Sequence, residues 1–474
     1  MKEKYIASID LGSSKIALTV ARIEGDDIQI VYYEETPSEG IRNSYVITPG
    51  TVEKKLKAAV AKAEEALHIK ILQAVVNLPC YPVRQEIATA KLERNDGSGY
   101  IAQEEVDNLK EVAVDSYPLS DEKTQTFYGA VAQSFSTEDA MQENEENIVG
   151  MNSSFLEGNF KVFIGKRSYS ENIDCIFNHL GIALAKKYFL PGILHLAVLK
   201  KEQKENGVAL IDFGAGVTSV TLFKDNILRH YSAIPFGGKT ITKDIKTECM
   251  ISLRAAENIK KAYGGCMPDK LSALADKTLQ IEEEENIRTR IPVKYLSEVI
   301  TARVKEIMDA VLYEIQESRF ADGLRSGVVL TGGGADLLNC ANYLKEISGY
   351  NVSIGFPRNL FTCDGCPEVK APSAAASVAM ILAAKNDGML SCTDRPPVIE
   401  REEAPEPAAV LPGNEKAEPD LIAPEEFGPE AEAPKTEKKK RQREPRPPKQ
   451  GPGFGSIIWK KLGTLFDEIS EEDV

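Results

Sequence analysis

Apolar residues run continuously over Tyr5–Ile9, Ile16–Ile23 and Ala74–Leu78, too short for helices and bounded by turn residues. Between the second and third of these runs, residues 52–67 carry apolar positions at helical spacing. Strand and helix therefore alternate, which predicts α/β layers. The pattern holds to about residue 390. From Ser391 to Pro452 large apolar residues become sparse and about half of the chain's 25 prolines appear. Such a segment cannot bury enough surface to offset ordering, so a disordered linker is expected over 391–452. Helical periodicity then returns. Phe454, Ile458, Leu462, Leu465, Phe466 and Ile469 form one apolar face in the last stretch, 453–474.

The apolar runs repeat. Residues 9–22 read IDLGSSKIALTVAR and residues 211–224 read IDFGAGVTSVTLFK. Placing Asp10 on Asp212 brings Gly12 onto Gly214, Ser14 onto Gly216, Leu18 onto Val220 and Val20 onto Leu222. Each copy predicts strand, tight turn, strand. Two copies predict two similar halves facing across a cleft.

The turn residues suggest what the cleft holds. A turn that cradles phosphate presents backbone N–H groups at close range and needs small residues. Gly12, Ser13 and Ser14 meet this in the first copy, and Gly214, Ala215, Gly216 and the following Thr218 in the second. Lys15 can reach a phosphate oxygen; a solvated surface lysine is the competing account. Asp10 and Asp212 fall at strand ends, where two carboxylates can hold hydrated Mg²⁺. An ordinary Asp before Gly in a turn is the alternative for either copy alone; two copies in register weigh against it. A third element, GVVLTGGGADLL at 327–338, runs a β-branched strand into Gly332, Gly333 and Gly334. It suits a backbone lying against an adenine or ribose ring, although a triple glycine alone is a weak motif.

These three elements, in this order, resemble the actin/Hsp70/sugar-kinase ATPase superfamily. Finer matches resemble the bacterial FtsA cell-division family: Gly40-Ile41-Arg42, Val149-Gly150-Met151, the stretch 234–242 (IPFGGKTIT), 256–264 (AENIKKAYG) and Gly355-Phe356-Pro357-Arg358. The resemblance implies an actin-like two-lobed, duplicated ATPase fold. It implies one subdomain from 1–80 and 162–198, a small inserted subdomain over 81–161 and the second lobe over 199–390. ATP with Mg²⁺ is the implied cofactor. Gly237 and Gly238 would lie near the γ-phosphate, and Glu257 and Lys260 at the ribose or adenine. An exposed i,i+3 ion pair worth about 0.3–0.5 kcal/mol is the plain alternative for that last pair. FtsA proteins commonly have a third glycine where Ala215 stands. The segment before the second hairpin, 188–195, offers no carboxylate or amide to orient water, and His195 reads as a packed helix residue. Slow hydrolysis is the expectation.

Charge and composition narrow the partners. Net charge is −15, which argues against nonspecific nucleic-acid binding. No run approaches the ~18 apolar residues of a spanning helix and the first residues show no signal peptide, so a cytoplasmic protein is expected. In the tail Trp459 flanks the apolar face and Lys460 and Lys461 edge it, behind a basic run from Lys435 to Lys449. That combination suits an amphipathic helix at an anionic membrane surface, against docking on its own body or on a partner protein. By the resemblance the chain would form filaments and tether FtsZ to the inner face of the cell membrane at the division site. It would grip the FtsZ C-terminal peptide on the helix 293–318 through Arg303 and Glu306. A solvated ion pair is the alternative for those two. A small-molecule kinase lacks its sugar-side base here, an Hsp70-type chaperone lacks a substrate domain, and a pilus-assembly relative is distinguished by the tail. Cys363 and Cys366 read as two loop thiols.

Overall fold

The computed structural model describes residues 3–94, 99–282 and 288–394. The expected terminal helix, with Phe454, Ile458, Trp459, Lys460, Lys461, Leu462, Leu465 and Phe466, and all but the first four residues of the expected linker lie outside the described residues.

The first half begins with β1 (Lys4–Leu11), β2 (Lys15–Glu24) and β3 (Asp27–Pro37), paired antiparallel. After helix α1 (Pro49–Leu67), β4 (Gln73–Leu78) returns parallel to β1. Strands β1 and β4 are buried almost throughout, as their unbroken apolar runs require of strands covered on both faces.

A separate small sheet is inserted next. It comprises β5 (Val83–Glu93), β6 (Gln125–Ser136) and β7 (Phe155–Lys166), with β7 central, and helix α2 (Gln103–Ser116) lies on it. Here burial alternates along β7, so one face carries a core of its own that includes Leu109, Phe135, Leu156 and Phe160. Gly150, left-handed at φ 92°, donates to the Ile101 carbonyl at 2.9 Å and helps close this unit. The chain rejoins the first sheet through α3 (Arg167–Leu180) and β8 (Ala183–Phe189), which pairs parallel with β4.

The second half repeats the plan. β9 (Val208–Phe213), β10 (Thr218–Lys224) and β11 (Ile227–Ile234) form the antiparallel meander. Helices α4 (Gly238–Cys249), α5 (Leu253–Tyr263) and α6 (Val293–Glu317) follow. Strands β12 (Val328–Thr331) and β13 (Val352–Ile354) then add parallel on the β9 side. Asp10 pairs with Ala17 and Asp212 with Ser219, at equivalent places in the two hairpins. The sheet orders match as well, β8-β4-β1-β2-β3 against β13-β12-β9-β10-β11 read from the parallel end.

The sequence assigned 199–390 as a block to the second lobe. The structure corrects this. Thr362–Cys363 pairs with β3, and helix α7 (Ala375–Asn386) packs on β1, β2 and β4. Nine of its twelve residues are buried, so it is apolar all round and fills the core of the first half. The start of the linker moves too. Cys392 is buried, its carbonyl accepts from Leu72 N at 2.8 Å, and its N–H donates to the Tyr5 carbonyl at 2.7 Å, so the folded body reaches at least Asp394. Among the described residues no helix is long and apolar enough to cross a membrane.

Candidate functional site

The two meander turns face each other. Gly12 N donates to the Lys15 carbonyl at 3.0 Å, and Gly214 N to the Val217 carbonyl at 3.0 Å. A side chain on either glycine would begin 2.7 Å from the carbonyl that closes its turn. One on Gly216 would begin 2.6 Å from Ser13 Oγ of the opposite turn. The hairpins are therefore tight and mutually close, and between them opens a cavity of about 470 Å³.

Its walls hold most of the residues read from the sequence. Asp10, Gly12, Ser13, Ser14 and Lys15 come from the first turn, and Asp212, Gly214, Ala215 and Gly216 from the second. Gly238, Glu257 and Lys260 form one side, and Gly332, Gly333 and Gly334 another. Two predicted residues fall elsewhere. Gly237 is packed behind the second turn, where a side chain would begin 2.8 Å from the Ala215 carbonyl. Thr218 corrects the sequence reading. It is fully buried, and its hydroxyl donates to the Phe236 carbonyl at 2.8 Å rather than to the cavity.

Asp10 is buried and Asp212 is partly buried. Burial pushes the Asp10 carboxyl up to about 6, with Lys15 opposing and Glu35 reinforcing the shift. Burial, reinforced by Asp10, pushes Asp212 up to about 7. Two carboxyls in one desolvated space resist joint ionisation unless a cation joins them. Gly332 makes the second one possible: it is left-handed at φ 84°, and a side chain there would strike Asp212 Oδ1. The neighbouring Gly334 lets Phe213 pack, because a methyl at 334 would enter the phenyl ring.

Lys15 does not point at an empty cradle. It pairs with Glu35, and its Nζ lies 3.4 Å from Tyr33 Oη. Lys260 is likewise engaged: Nζ donates to the Gly238 carbonyl at 2.9 Å, Thr242 Oγ1 at 2.7 Å and Glu257 Oε2 at 2.7 Å. Burial lowers the Lys260 pKa, and Glu257 offsets part of that. For Glu257 burial works upward, but hydrogen bonds from Lys260 and Thr242 outweigh it and hold the carboxyl below its usual range. This cluster ties the start of α4 to α5 and is largely shielded from solvent, unlike an exposed i,i+3 pair.

Sequence reasoning missed several wall residues. Asn77 Oδ1 accepts from Leu11 N at 2.7 Å and fixes the end of β1 beside Asp10. A polar residue inside the buried run AVVNL was the available signal. Glu35, Ser44, Cys80 and Asp336 also line the cavity, brought there by tertiary contact. Burial raises the Asp336 carboxyl, with Lys15 opposing and Glu35 adding. Altogether five carboxylates (Asp10, Glu35, Asp212, Glu257, Asp336) face three lysines (Lys15, Lys260, Lys261). An anionic polyphosphate could enter such a cleft only with a cation, so the donor set fits a hydrated Mg²⁺ with two acidic anchors.

Two other predicted features sit apart. His195 is partly buried and packs against Phe223, ring centroids 4.9 Å apart, and desolvation drops its pKa to about 3. Arg303 lies on α6, where Nε and Nη2 grip Asp244 of α4 at 2.6 and 3.1 Å and Nη1 meets Glu306 at 2.7 Å.

The family model for "Cell division protein FtsA" matches residues 209–379. The FtsA protein of Neisseria meningitidis is 27% identical over 404 residues, covering 85% of this chain and 95% of its own. That of Bacillus subtilis is 25% identical over 358 residues, covering 75% and 79%. Among solved structures, a PilM-PilN type IV pilus biogenesis complex superposes with TM-score 0.56 at 14% identity, covering 79% of this chain and 97% of that one. MreB 5 of Spiroplasma citri bound to AMPPNP gives 0.50 at 12% identity, covering 81% and 96%.

Proposed function

We propose that the chain is an FtsA-type, actin-like cell division protein that binds Mg²⁺-ATP between its two halves and tethers FtsZ to the membrane. The observation that carries the nucleotide reading is the meeting of two equivalent turns, each supplying one desolvated aspartate and a set of small residues, across one cavity. The turn backbones would hold phosphate, Asp10 and Asp212 the waters of Mg²⁺, and Gly332–Gly334 the sugar or base. A bound cation would supply charge neutralisation for the phosphates, with Asp10 and Asp212 as the residues that hold it through water. Glu257 and Lys260 hold the wall around the adenosine end rather than offering free charges.

Turnover is slow in this reading. In the segment before the second turn, Leu190 and Leu194 line the cavity, whereas His195 faces the core and stays neutral. Nucleotide then acts on assembly: with the cleft closed, copies of the chain associate into filaments. Each filament displays many amphipathic tails from residues 453–474, and multivalency makes reversible binding of one helix into stable attachment. The FtsZ C-terminal peptide would meet the exposed side of α6 at Glu306. Arg303, half-buried and gripped by Asp244, would hold that surface in place.

Vesicle co-sedimentation tests this with purified full-length chain, FtsZ, Mg²⁺-ATP and vesicles containing anionic lipid. The chain should pellet and bring FtsZ with it, and deletion of residues 453–474 should leave both in the supernatant. Chain pelleting without FtsZ, or a deletion that still pellets, refutes the tether.

A further inference from the structure

The loop after β13 carries Cys363 and Cys366, a pair of thiols outside the cavity. Thr362–Cys363 pairs parallel with β3 at Gln29 and Ile30. The chain then bends over Asp364 and Gly365. Gly365 is left-handed at φ 81°, a conformation that side chains resist, so glycine permits the turn. Asp364 pins it to β3, its Oδ2 accepting from Gln29 Nε2 at 2.9 Å. Both cysteines are partly exposed. Burial pushes the Cys366 thiol up, the Tyr33 backbone amide beside it opposes the shift, and the nearby Cys363 and Glu368 add to it.

The other cysteines lack this arrangement. Cys266 and Cys340 also meet, but both are fully buried and closed to a reagent. Cys249 and Cys392 are buried too, and burial pushes the Cys80 thiol up to about 12. Cys175 is exposed, with His179 rather than a thiol beside it, Sγ to Nε2 3.8 Å. A metal reading of the pair fails as well, since among the described residues no third ligand joins it.

The loop is tied to the cavity wall on both sides. Tyr33, against Cys366, donates its hydroxyl to Glu35 Oε1 at 2.6 Å, and Glu35 pairs with Lys15 on the wall. Further on, fully buried Val369 donates its N–H to the Cys366 carbonyl at 3.3 Å, and the Pro372 carbonyl accepts from Gly332 N at 3.3 Å. Pro372 and Gly332 line the same cavity.

We propose that Cys363 and Cys366 form a redox site that takes a low-molecular-weight disulfide as oxidant, closes to an intramolecular disulfide and thereby releases the Tyr33 amide. Cys366 lies against Tyr33 with its thiol held up, so Cys363 attacks first. Its thiolate bonds to one sulfur of the reagent, the reagent's S–S bond breaks, and the small thiolate released takes up the proton that Cys363 lost. Cys366 then gives its proton to water and attacks Cys363 Sγ. The protein disulfide forms, and the second small thiolate leaves and is protonated. Two protein thiols are oxidised and one small disulfide is reduced to two thiols. Glu368 disfavours a thiolate at Cys366, the reverse of pairs whose stabilised thiolate makes the disulfide strongly oxidising, so the bond persists once made. In a reducing compartment the pair rests as thiols, and a rise in oxidant sets it.

The test equilibrates the full-length chain with mixtures of oxidised and reduced glutathione, then quenches with acid, alkylates and maps peptides. As the oxidised share rises, two free thiols should be lost together, with Cys363 and Cys366 recovered joined in one peptide. Dithiothreitol should restore both. In Cys366→Ser the reaction should stop at a glutathione adduct on Cys363. Hydrogen exchange over residues 29–37 should quicken in the oxidised parent and not in Cys363→Ser/Cys366→Ser treated alike. If Cys363 and Cys366 stay unlinked, or carry two separate adducts, under conditions that modify Cys175, the redox site is refuted. If they join and exchange over 29–37 is unchanged, the release of Tyr33 is refuted.

Discussion

Replacing Asp212 by asparagine should stabilise the nucleotide-free protein, and by an amount that depends on pH. In the folded chain this carboxyl titrates near 7, against 3.8 as its ordinary value. Between those values the folded form keeps a proton that the unfolded chain has released. Stability therefore falls as pH rises through the window, and the loss is complete a little above pH 7. Burial is the main cause and the neighbouring Asp10 adds to it. At pH 8 the ionised group costs roughly 4 kcal/mol, and at pH 5 about 2 kcal/mol, from 1.36 kcal/mol for each tenfold displacement. Asparagine keeps the shape and sheds the charge, but pays part of the burial cost of a polar amide. A net gain of about 2–4 kcal/mol at pH 8 is expected, or roughly 2–5 °C in the melting midpoint of a body this size. Differential scanning fluorimetry of parent and Asp212→Asn from pH 5 to 8, without nucleotide or divalent cation, measures it. The gap should widen steadily with pH. A gap that stays flat, or narrows, would refute the assignment of a desolvated carboxyl at this position.

Lys260→Ala removes three donors at once and leaves the Glu257 carboxylate half-buried without its nearest cation. A loss of about 2 kcal/mol is expected after allowing for partial exposure, with part of it recovered in the Lys260→Ala/Glu257→Ala double variant; additive losses in urea titrations would deny the coupling. Arg303→Ala should cost about 2–3 kcal/mol because it strands Asp244, whereas Glu306→Ala should change stability by less than about 0.5 kcal/mol since that side chain is mostly exposed. Similar urea midpoints for the two variants would contradict this.

The duplication was legible because its signal is local: continuous apolar runs, an aspartate at each strand end and small residues in each turn. The polar wall was not. Glu35 sits on a half-exposed strand, Ser44 in a short hairpin and Cys80 after a strand, and only the folded arrangement brings them to one cavity. Thr218 shows the converse. It adjoins a phosphate turn in sequence, but it opens β10, and its side chain turns inward to Phe236. Lys15 was readable as a cation near phosphate, and its pairing with Glu35 was not. Helix α7 was misassigned for a related reason: being apolar on every side, it carries no stripe to say which layer receives it.

These features bear on how nucleotide could act without rapid turnover. Each half contributes one aspartate, and bringing both to the same desolvated space costs several kcal/mol when they are ionised. Asp10 and Asp212 would be relieved of that cost by a hydrated cation held between them, which requires the two turns in apposition. On the proposed nucleotide reading, ligand binding and closure of the halves would be one equilibrium. The free energy involved, a few kcal/mol, is of the size that moves a two-state population from mostly open to mostly closed. No bond need be broken for that. Hydrolysis would matter chiefly by removing the phosphate that spans the turns, and Leu190 and Leu194, where a water-orienting group would be sought, offer none. In the proposed reading the closed state would persist for as long as the triphosphate stays bound, as a latch on assembly requires.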